Sequence, residues 1–278
     1  MEFLLLGSAL TNSSVGFINK KLITRGMTAK EYFYYVTLAL VPFSALFFFI
    51  YPFQIAFSFT AFLLLIASVG VRALNSLSLS SSLKSITPLT LSVYSTMAIL
   101  ISYFIDVFIG AVSFEILQLL AIVIVVIGTV IIALKNITVL KQVKLPVIIR
   151  VFSELLKGYL AYFTLKHMNV STYTFLMAVV TTILLLPVTK QIITRFNSQK
   201  MKHATIAQSV GVVSLILSNL LAKSSATLFM LNVPATLIIT LLLSYIIKKD
   251  VGSKPTLLEL IGSIVVVAGL TLFSILSI

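Results

Sequence analysis

The chain has no cysteine and little charge: 10% of its 278 residues are Asp, Glu, Lys or Arg. Without cysteine there are no disulfides, no thiolate metal sites and no thiol nucleophile. A soluble domain carries about 25% charged residues. A chain this poor in charge cannot cover its folded surface with polar groups, so most of that surface must face lipid. Histidine is also scarce. His167 and His203 fall in polar connectors without ligand-like spacing, and no metal site is expected. Acidic residues number 7 against 20 basic ones, for a formal charge of +13. In a soluble protein that would suggest nucleic acid. Here the basic residues cluster in gaps between apolar runs, so the charge reads as topological and no nucleic-acid partner is expected. No lysine-bearing phosphate loop and no nucleophile–base constellation is present, so neither enzyme chemistry nor a cofactor is expected. The Met1-Glu2 start lacks a basic n-region, and no secretory signal is read there.

What is abundant is apolar: 59% of the chain is hydrophobic, with a mean hydropathy of +1.16. One apolar stretch occurs twice. Leu117-Gln118-Leu119-Leu120-Ala121-Ile122-Val123-Ile124-Val125-Val126-Ile127-Gly128 reappears as Leu258-Glu259-Leu260-Ile261-Gly262-Ser263-Ile264-Val265-Val266-Val267-Ala268-Gly269, a shift of 141 (269 − 128). A repeat at half the chain length means two copies of one fold rather than a solenoid. A helix needs roughly 20 apolar residues to cross the hydrocarbon. That ruler predicts ten spans, over Glu2–Ile18, Tyr32–Tyr51, Phe57–Leu79, Pro88–Gly110, Phe114–Leu134, Pro146–Leu165, Thr172–Thr189, Thr205–Lys223, Thr227–Ile247 and Leu257–Ser277. The connectors are short and leave no room for a soluble domain.

Five spans per half is odd, so the second copy enters the membrane from the opposite side. The expected fold is an all-α integral membrane protein of ten transmembrane helices, built as two inverted five-helix repeats over 1–137 and 138–278. Inverted repeats are frequent in secondary transporters, with the substrate site near the midplane between the halves. Two further matches support the register. The segment from Met27 to Tyr32 falls opposite Val170 to Phe175, and Asn75 falls opposite Asn219.

Several stretches resemble a known family. They are a first helix with Gly7 and Asn12-Ser13-Ser14-Val15, the run Ser82-Leu83-Lys84-Ser85-Ile86-Thr87-Pro88-Leu89-Thr90 after a polar third helix, and a last helix reading Pro255-Thr256-Leu257-Leu258-Glu259-Leu260-Ile261-Gly262 through Ala268-Gly269. These are similar to the drug/metabolite transporter superfamily and its EamA-like ten-helix branch. The resemblance covers the whole chain and implies a multi-pass transporter with cytoplasmic termini. Family members usually carry a glutamate before the last helix of each half. Here Gly110-Ala111-Val112-Ser113 and Gly252-Ser253-Lys254-Pro255 stand there, so no role of that glutamate is carried over.

The charge distribution points the other way on orientation. Sixteen basic residues sit in odd-numbered connectors and their helix ends: Lys20, Lys21, Arg25, Lys30, Lys84, Lys135, Lys141, Lys144, Arg150, Lys190, Arg195, Lys200, Lys202, Lys248, Lys249 and Lys254. The other side holds Lys166 and Lys223 with the acidic Glu2, Asp106 and Glu115. The positive-inside rule then places the sixteen in the cytoplasm of a cell-membrane protein and both termini outside.

Candidate site residues follow from polar groups stranded inside spans. Arg72, Glu154 and Lys157 are such groups, and charge at that depth costs a few kcal/mol unless it faces a cavity or a partner. Glu154 and Lys157 are spaced i, i+3 and share a helix face. They either form a site, with Lys157 or Arg72 meeting an anionic group and Glu154 an amine or a proton, or they simply pair near the helix entrance. Glu154 is the candidate for proton coupling. Asn12 and Ser14 lie beside Thr11, which falls opposite Glu154, while Asn75 and Asn219 match each other across the repeat. Each asparagine must face protein or water, as a ligand-binding group or as a helix-to-helix hydrogen bond. Tyr94, Tyr159 and Tyr162 could line a cavity. Tyr32, Tyr34 and Tyr35 beside a cationic connector read as an interfacial belt. Pro88 and Pro234 read as helix starts or bends.

The expected function is secondary active transport of a small polar metabolite, an amino acid, organic anion or sugar-like solute, by alternating access and with possible proton coupling. The alternatives are a flippase for a lipid-linked sugar or other amphiphile, and a membrane accessory protein without transport. The expected partners are a small-molecule substrate, the lipid bilayer and a possible second copy of the chain. Helices five and ten, which hold Gly128 and Gly269, are expected to form the scaffold or dimer-facing end of each half, and the site falls to helices one, three, six and eight.

Overall fold

A computed structural model describes residues 2–24, 28–56, 58–82, 88–134, 145–194, 196–247 and 256–276. Ten α-helices are present among them: α1 (Glu2–Thr24), α2 (Ala29–Leu46), α3 (Phe59–Ser82), α4 (Pro88–Phe108), α5 (Ile116–Leu134), α6 (Leu145–Thr164), α7 (Val170–Thr194), α8 (Ser198–Ser224), α9 (Ala226–Ile247) and α10 (Leu257–Leu276). A 3₁₀ turn, Phe47–Phe49, extends α2. The described residues form no strand beyond an isolated bridge between Ile55 and Met168. In hydrocarbon every backbone polar group must be paired within the protein, and a helix does this within one segment.

Short polar signals start several helices. Thr28 and Glu31 close a capping box on α2. Thr256 and Glu259 do the same for α10, with the Thr256 amide donating to Glu259 Oε2 at 2.8 Å. The Asn197 side chain accepts from Gln199 and Lys200 to open α8. Pro234 neither starts nor ends a helix: α9 runs through it, as α2 runs through Pro42.

Among the described residues six segments are long and apolar enough to cross a membrane: Glu31–Phe49, Phe59–Leu79, Ile116–Leu134, Ser198–Ser224, Ala226–Leu243 and Leu257–Leu276. Shorter apolar helical stretches lie at Phe3–Ile18, Val93–Phe108 and Val170–Leu184. The remaining helix, α6, carries Arg150, Glu154 and Lys157 within eight residues, and these lower its apolarity. The exterior is apolar, with Phe3, Phe49, Phe108, Leu257 and Ile264 among many large side chains left exposed.

Each helix of the first five packs chiefly against one of the last five. The partners are α1 with α8, α2 with α7, α3 with α6, α4 with α9 and α5 with α10. Exchanging the two sets of five returns the same pairs. The α5–α10 pair is antiparallel, since Gln118 near the start of α5 donates to the Leu276 carbonyl at the end of α10, at 3.3 Å. Glycine lets these backbones touch. A Cβ on Gly128 would lie 2.7 Å from the Val266 nitrogen and 2.8 Å from the Gly262 oxygen. One on Gly269 would lie 2.9 Å from the Val125 nitrogen and 3.0 Å from the Ala121 oxygen. The two sets of contacts are the same contacts moved by 141 residues.

Tyr32, Tyr34 and Tyr35 depart from the expected belt. All three are buried, packed with Ala39, Ala204 and Ala207 where α2 meets α8. The Tyr35 hydroxyl accepts from the Asn197 amide at 2.9 Å, so a protein partner takes the place of the membrane interface. Of the sixteen basic residues that set the expected orientation, Arg25, Lys84, Lys135, Lys141, Lys144, Arg195, Lys248, Lys249 and Lys254 lie outside the described residues.

Candidate functional site

The contact of α3 with α6 carries a buried ion cluster. Arg150, Glu154 and Lys157 fall at i, i+4 and i+7, on one stripe of α6. Arg150 Nη2 lies 2.7 Å from Glu154 Oε2, and Lys157 Nζ lies 3.2 Å from Glu154 Oε1. From α3, Asn75 Nδ2 donates to Glu154 Oε2 at 2.8 Å and to Ser153 Oγ at 3.0 Å. Arg150 Nη1 in turn donates to the Asn75 side-chain oxygen and, at 3.2 Å, to its carbonyl. Both carboxylate oxygens of Glu154 are therefore engaged, one by Arg150 and Asn75 and the other by Lys157. Ser153 Oγ completes the network by donating to the Arg150 carbonyl at 3.0 Å. Asn75 is a positioning residue here, because its amide holds the acid and its oxygen holds the arginine.

Lys157 also reaches across to α9, where its ammonium stands 5.1 Å from the centroid of the Phe229 ring. The ring's negative face is a favourable partner for a cation shielded from water. Arg72, one turn before Asn75 on α3, is half-buried. Its i, i+3 spacing from Asn75 puts it on the face of α3 that meets α6.

Sequence and structure agree on part of this group. Arg72, Asn75, Glu154 and Lys157 were candidates and lie together. Arg150 was counted as a connector cation but belongs to the cluster, where it supplies the closest ion pair. Its spacing from Glu154 was the available signal, since i, i+4 pairs of opposite charge share a helix face. Ser153 and Phe229 were not singled out.

The other candidates lie elsewhere. Asn12 donates weakly to Ser8 Oγ at 3.5 Å and accepts from Ser214 Oγ, which ties α1 to α8. Ser8 and Ser218 join hydroxyls at 2.9 Å along the same seam. Asn219 donates to Thr174 Oγ1 at 3.1 Å. The Ser14 hydroxyl donates to Leu10 of its own helix at 2.9 Å. Tyr94 joins a small apolar group with Leu91, Val147 and Leu79. Tyr159 donates to the Ser102 carbonyl at 2.7 Å, and Tyr162 lies beneath the Lys166 ammonium, 4.4 Å from its ring centroid. Among the described residues no group of histidines and carboxylates is arranged to hold a metal.

Asp106, counted among the acidic residues on the side opposite the sixteen cations, is fully buried. Its Oδ2 accepts from the Thr227 amide at 2.7 Å, and its own carbonyl accepts from Ala111 at 2.8 Å. It thus caps the start of α9 from the end of α4 and satisfies an amide that α9 itself cannot pair.

No protein-family model and no curated protein matches the chain. Among solved structures, 24 chains match it. One of them, described only as "Crystal structure of protein", is similar over 97% of this chain and 98% of its own, with a TM-score of 0.61 at 11% identity. At that identity the likeness concerns the fold alone: almost the whole helical arrangement recurs in a chain known by experiment.

Proposed function

We propose that the protein is a secondary transporter of a small polar metabolite, with ten membrane spans in two inverted five-helix repeats that alternate access to a central site. The observation that carries this reading is the ion cluster of Arg150, Glu154 and Lys157, with Arg72 beside it, inside a chain whose exterior is apolar. Ionisable groups at membrane depth are costly, and a structural role alone needs only one satisfied pair. Here two further cations accompany the closest pair, Arg150 with Glu154: Lys157 on α6 and Arg72 on α3. The helix pairs are consistent with two halves of one origin, because α1–α8 and α3–α6 exchange when the halves are exchanged. Substrate sites in transporters built from inverted repeats lie between the halves.

Transport is tested with purified protein in sealed vesicles preloaded with candidate solutes, by measuring exchange of labelled solute. Saturable exchange that falls in Arg72→Gln and Lys157→Gln supports the reading. Folded protein that exchanges no solute, or that moves labelled lipid between leaflets instead, overturns it.

A further inference from the structure

We propose that the α3–α6 site takes an anionic ligand, bound through a carboxylate or phosphate group by Arg72 and Lys157, and that Glu154 is not a ligand for an amine. This deepens the proposed transport reading and rests on it for the location of the site.

The argument starts from charge. Arg150 and Lys157 flank the one acid, Glu154, and Arg72 adds a third cation one turn from Asn75 on α3. At full ionisation two positive charges are left over in a medium that solvates charge poorly. No other carboxylate is paired with this group among the described residues: Glu31 pairs with Lys200 at 2.7 Å, and Asp106 caps α9. Surplus charge of this kind faces a cavity, a partner or a ligand of opposite sign.

Accessibility points the same way. The Lys157 side chain keeps 22% of its surface exposed and Arg150 16%, whereas Glu154 keeps 10%. Arg72 is also half-buried, while Asn75 and Ser153 are buried. The cations therefore present surface and the acid stands behind them, with both its oxygens already engaged. Arg150 Nε is buried without a hydrogen-bond partner, a second sign that donors outnumber acceptors.

Arg72 lies seven residues before the end of the apolar stretch Phe59–Leu79 of α3, about 10 Å along the axis. Its planar fork suits an oxyanion in bidentate geometry. Lys157 supplies a point charge already positioned by Glu154 and Phe229, so little ordering is left to do on binding. A zwitterionic amino acid or an amine would need an acidic partner, and the one acid present is taken by Arg150 and Lys157.

The test follows thermal unfolding of the full chain with inorganic phosphate, glycerol 3-phosphate, succinate, glycine, glucose and putrescine added in turn. At least one of the three anions is expected to raise the midpoint. Arg72→Gln should weaken that apparent affinity about tenfold or more, with Arg72→Lys retaining more of it because the charge stays. Lys157→Gln is the second variant should Arg72→Gln fail to fold. No response to any anion, or a response that is unchanged in both neutral variants, overturns the proposal. Repeating the binding in vesicles with and without phosphatidylglycerol separates two sources of the same chemistry. Competition by that lipid identifies a headgroup, and its absence a free solute. Solute exchange in the same vesicles separates two failures. Exchange of glucose or putrescine without any anion response removes the anion assignment and keeps the transporter. Anion binding without exchange of any solute keeps the site and removes transport.

Discussion

Gly128 of α5 and Gly262 of α10 face each other so closely that a Cβ on either would lie within 2.8 Å of the other's carbonyl oxygen. Neither backbone can retreat without breaking the antiparallel contact that holds the last helix of each half together. Without a hydrophobic driving force between helices in lipid, such close approach gains dispersion contacts that bulkier residues would prevent.

Replacing Gly128 or Gly262 by valine should lower stability by about 1–3 kcal/mol, the usual cost of overpacking. A Cβ at Gly16 meets nothing within 4 Å, so Gly16→Ala should be neutral or slightly stabilising. Thermal unfolding in detergent of the three variants checks this. Equal midpoints for Gly128→Val and Gly16→Ala would remove the packing argument.

Glu154→Gln leaves Arg150 and Lys157 without a counter-charge. Breaking one partner of a buried pair costs about 3–5 kcal/mol, so the unfolding midpoint should fall. The Lys200–Glu31 bridge is partly exposed, with 29% and 24% of the side chains accessible. Lys200→Ala should therefore cost under about 1 kcal/mol. A similar loss in the two variants would contradict the different burial of the two pairs.

If transport is coupled to protons through Glu154, the same Glu154→Gln variant should lose gradient-driven accumulation while keeping part of its exchange. Accumulation in vesicles at two external pH values reads this out. An unchanged pH dependence would place the coupling elsewhere, since glutamine cannot carry the proton.

Asp106→Ala frees the Thr227 amide at the start of α9 and should cost about 1–3 kcal/mol. Asp106→Asn keeps an accepting oxygen and should recover most of that loss. Recovery by asparagine identifies a cap; a loss as large as that of alanine would mean that the negative charge matters more than the hydrogen bond.

Orientation is checked by a reporter fused to the C-terminus that is active only in the cytoplasm. Removing Arg150 from the connector count leaves fifteen basic residues on the same side, so the charge bias persists and the reporter should be silent. An active reporter would favour the cytoplasmic termini implied by the family resemblance.

Helices were legible because their signal is local. Apolar runs of membrane length mark six segments among the described residues, and shorter apolar runs mark most of the rest. The expectation of a duplication was equally local, since similar stretches recur at shifts of 141 to 144 residues. Arg150 was misplaced because a cation near a helix end reads as topological until a partner is seen. Tyr32 was assigned to the interface because the sequence does not say which residues of another helix will cover it.

By itself, the amino-acid order determined that the chain is helical and apolar outside, that it repeats, and which few ionisable residues lie within its apolar spans. Those properties depend on composition and on spacing within single helices. Only the tertiary structure decided that Gly128 meets Gly262, that Asn75 holds both Glu154 and Arg150, and that both oxygens of Glu154 are engaged within the protein. Each depends on which helix faces which across large sequence separations, and packing of the whole bundle sets that.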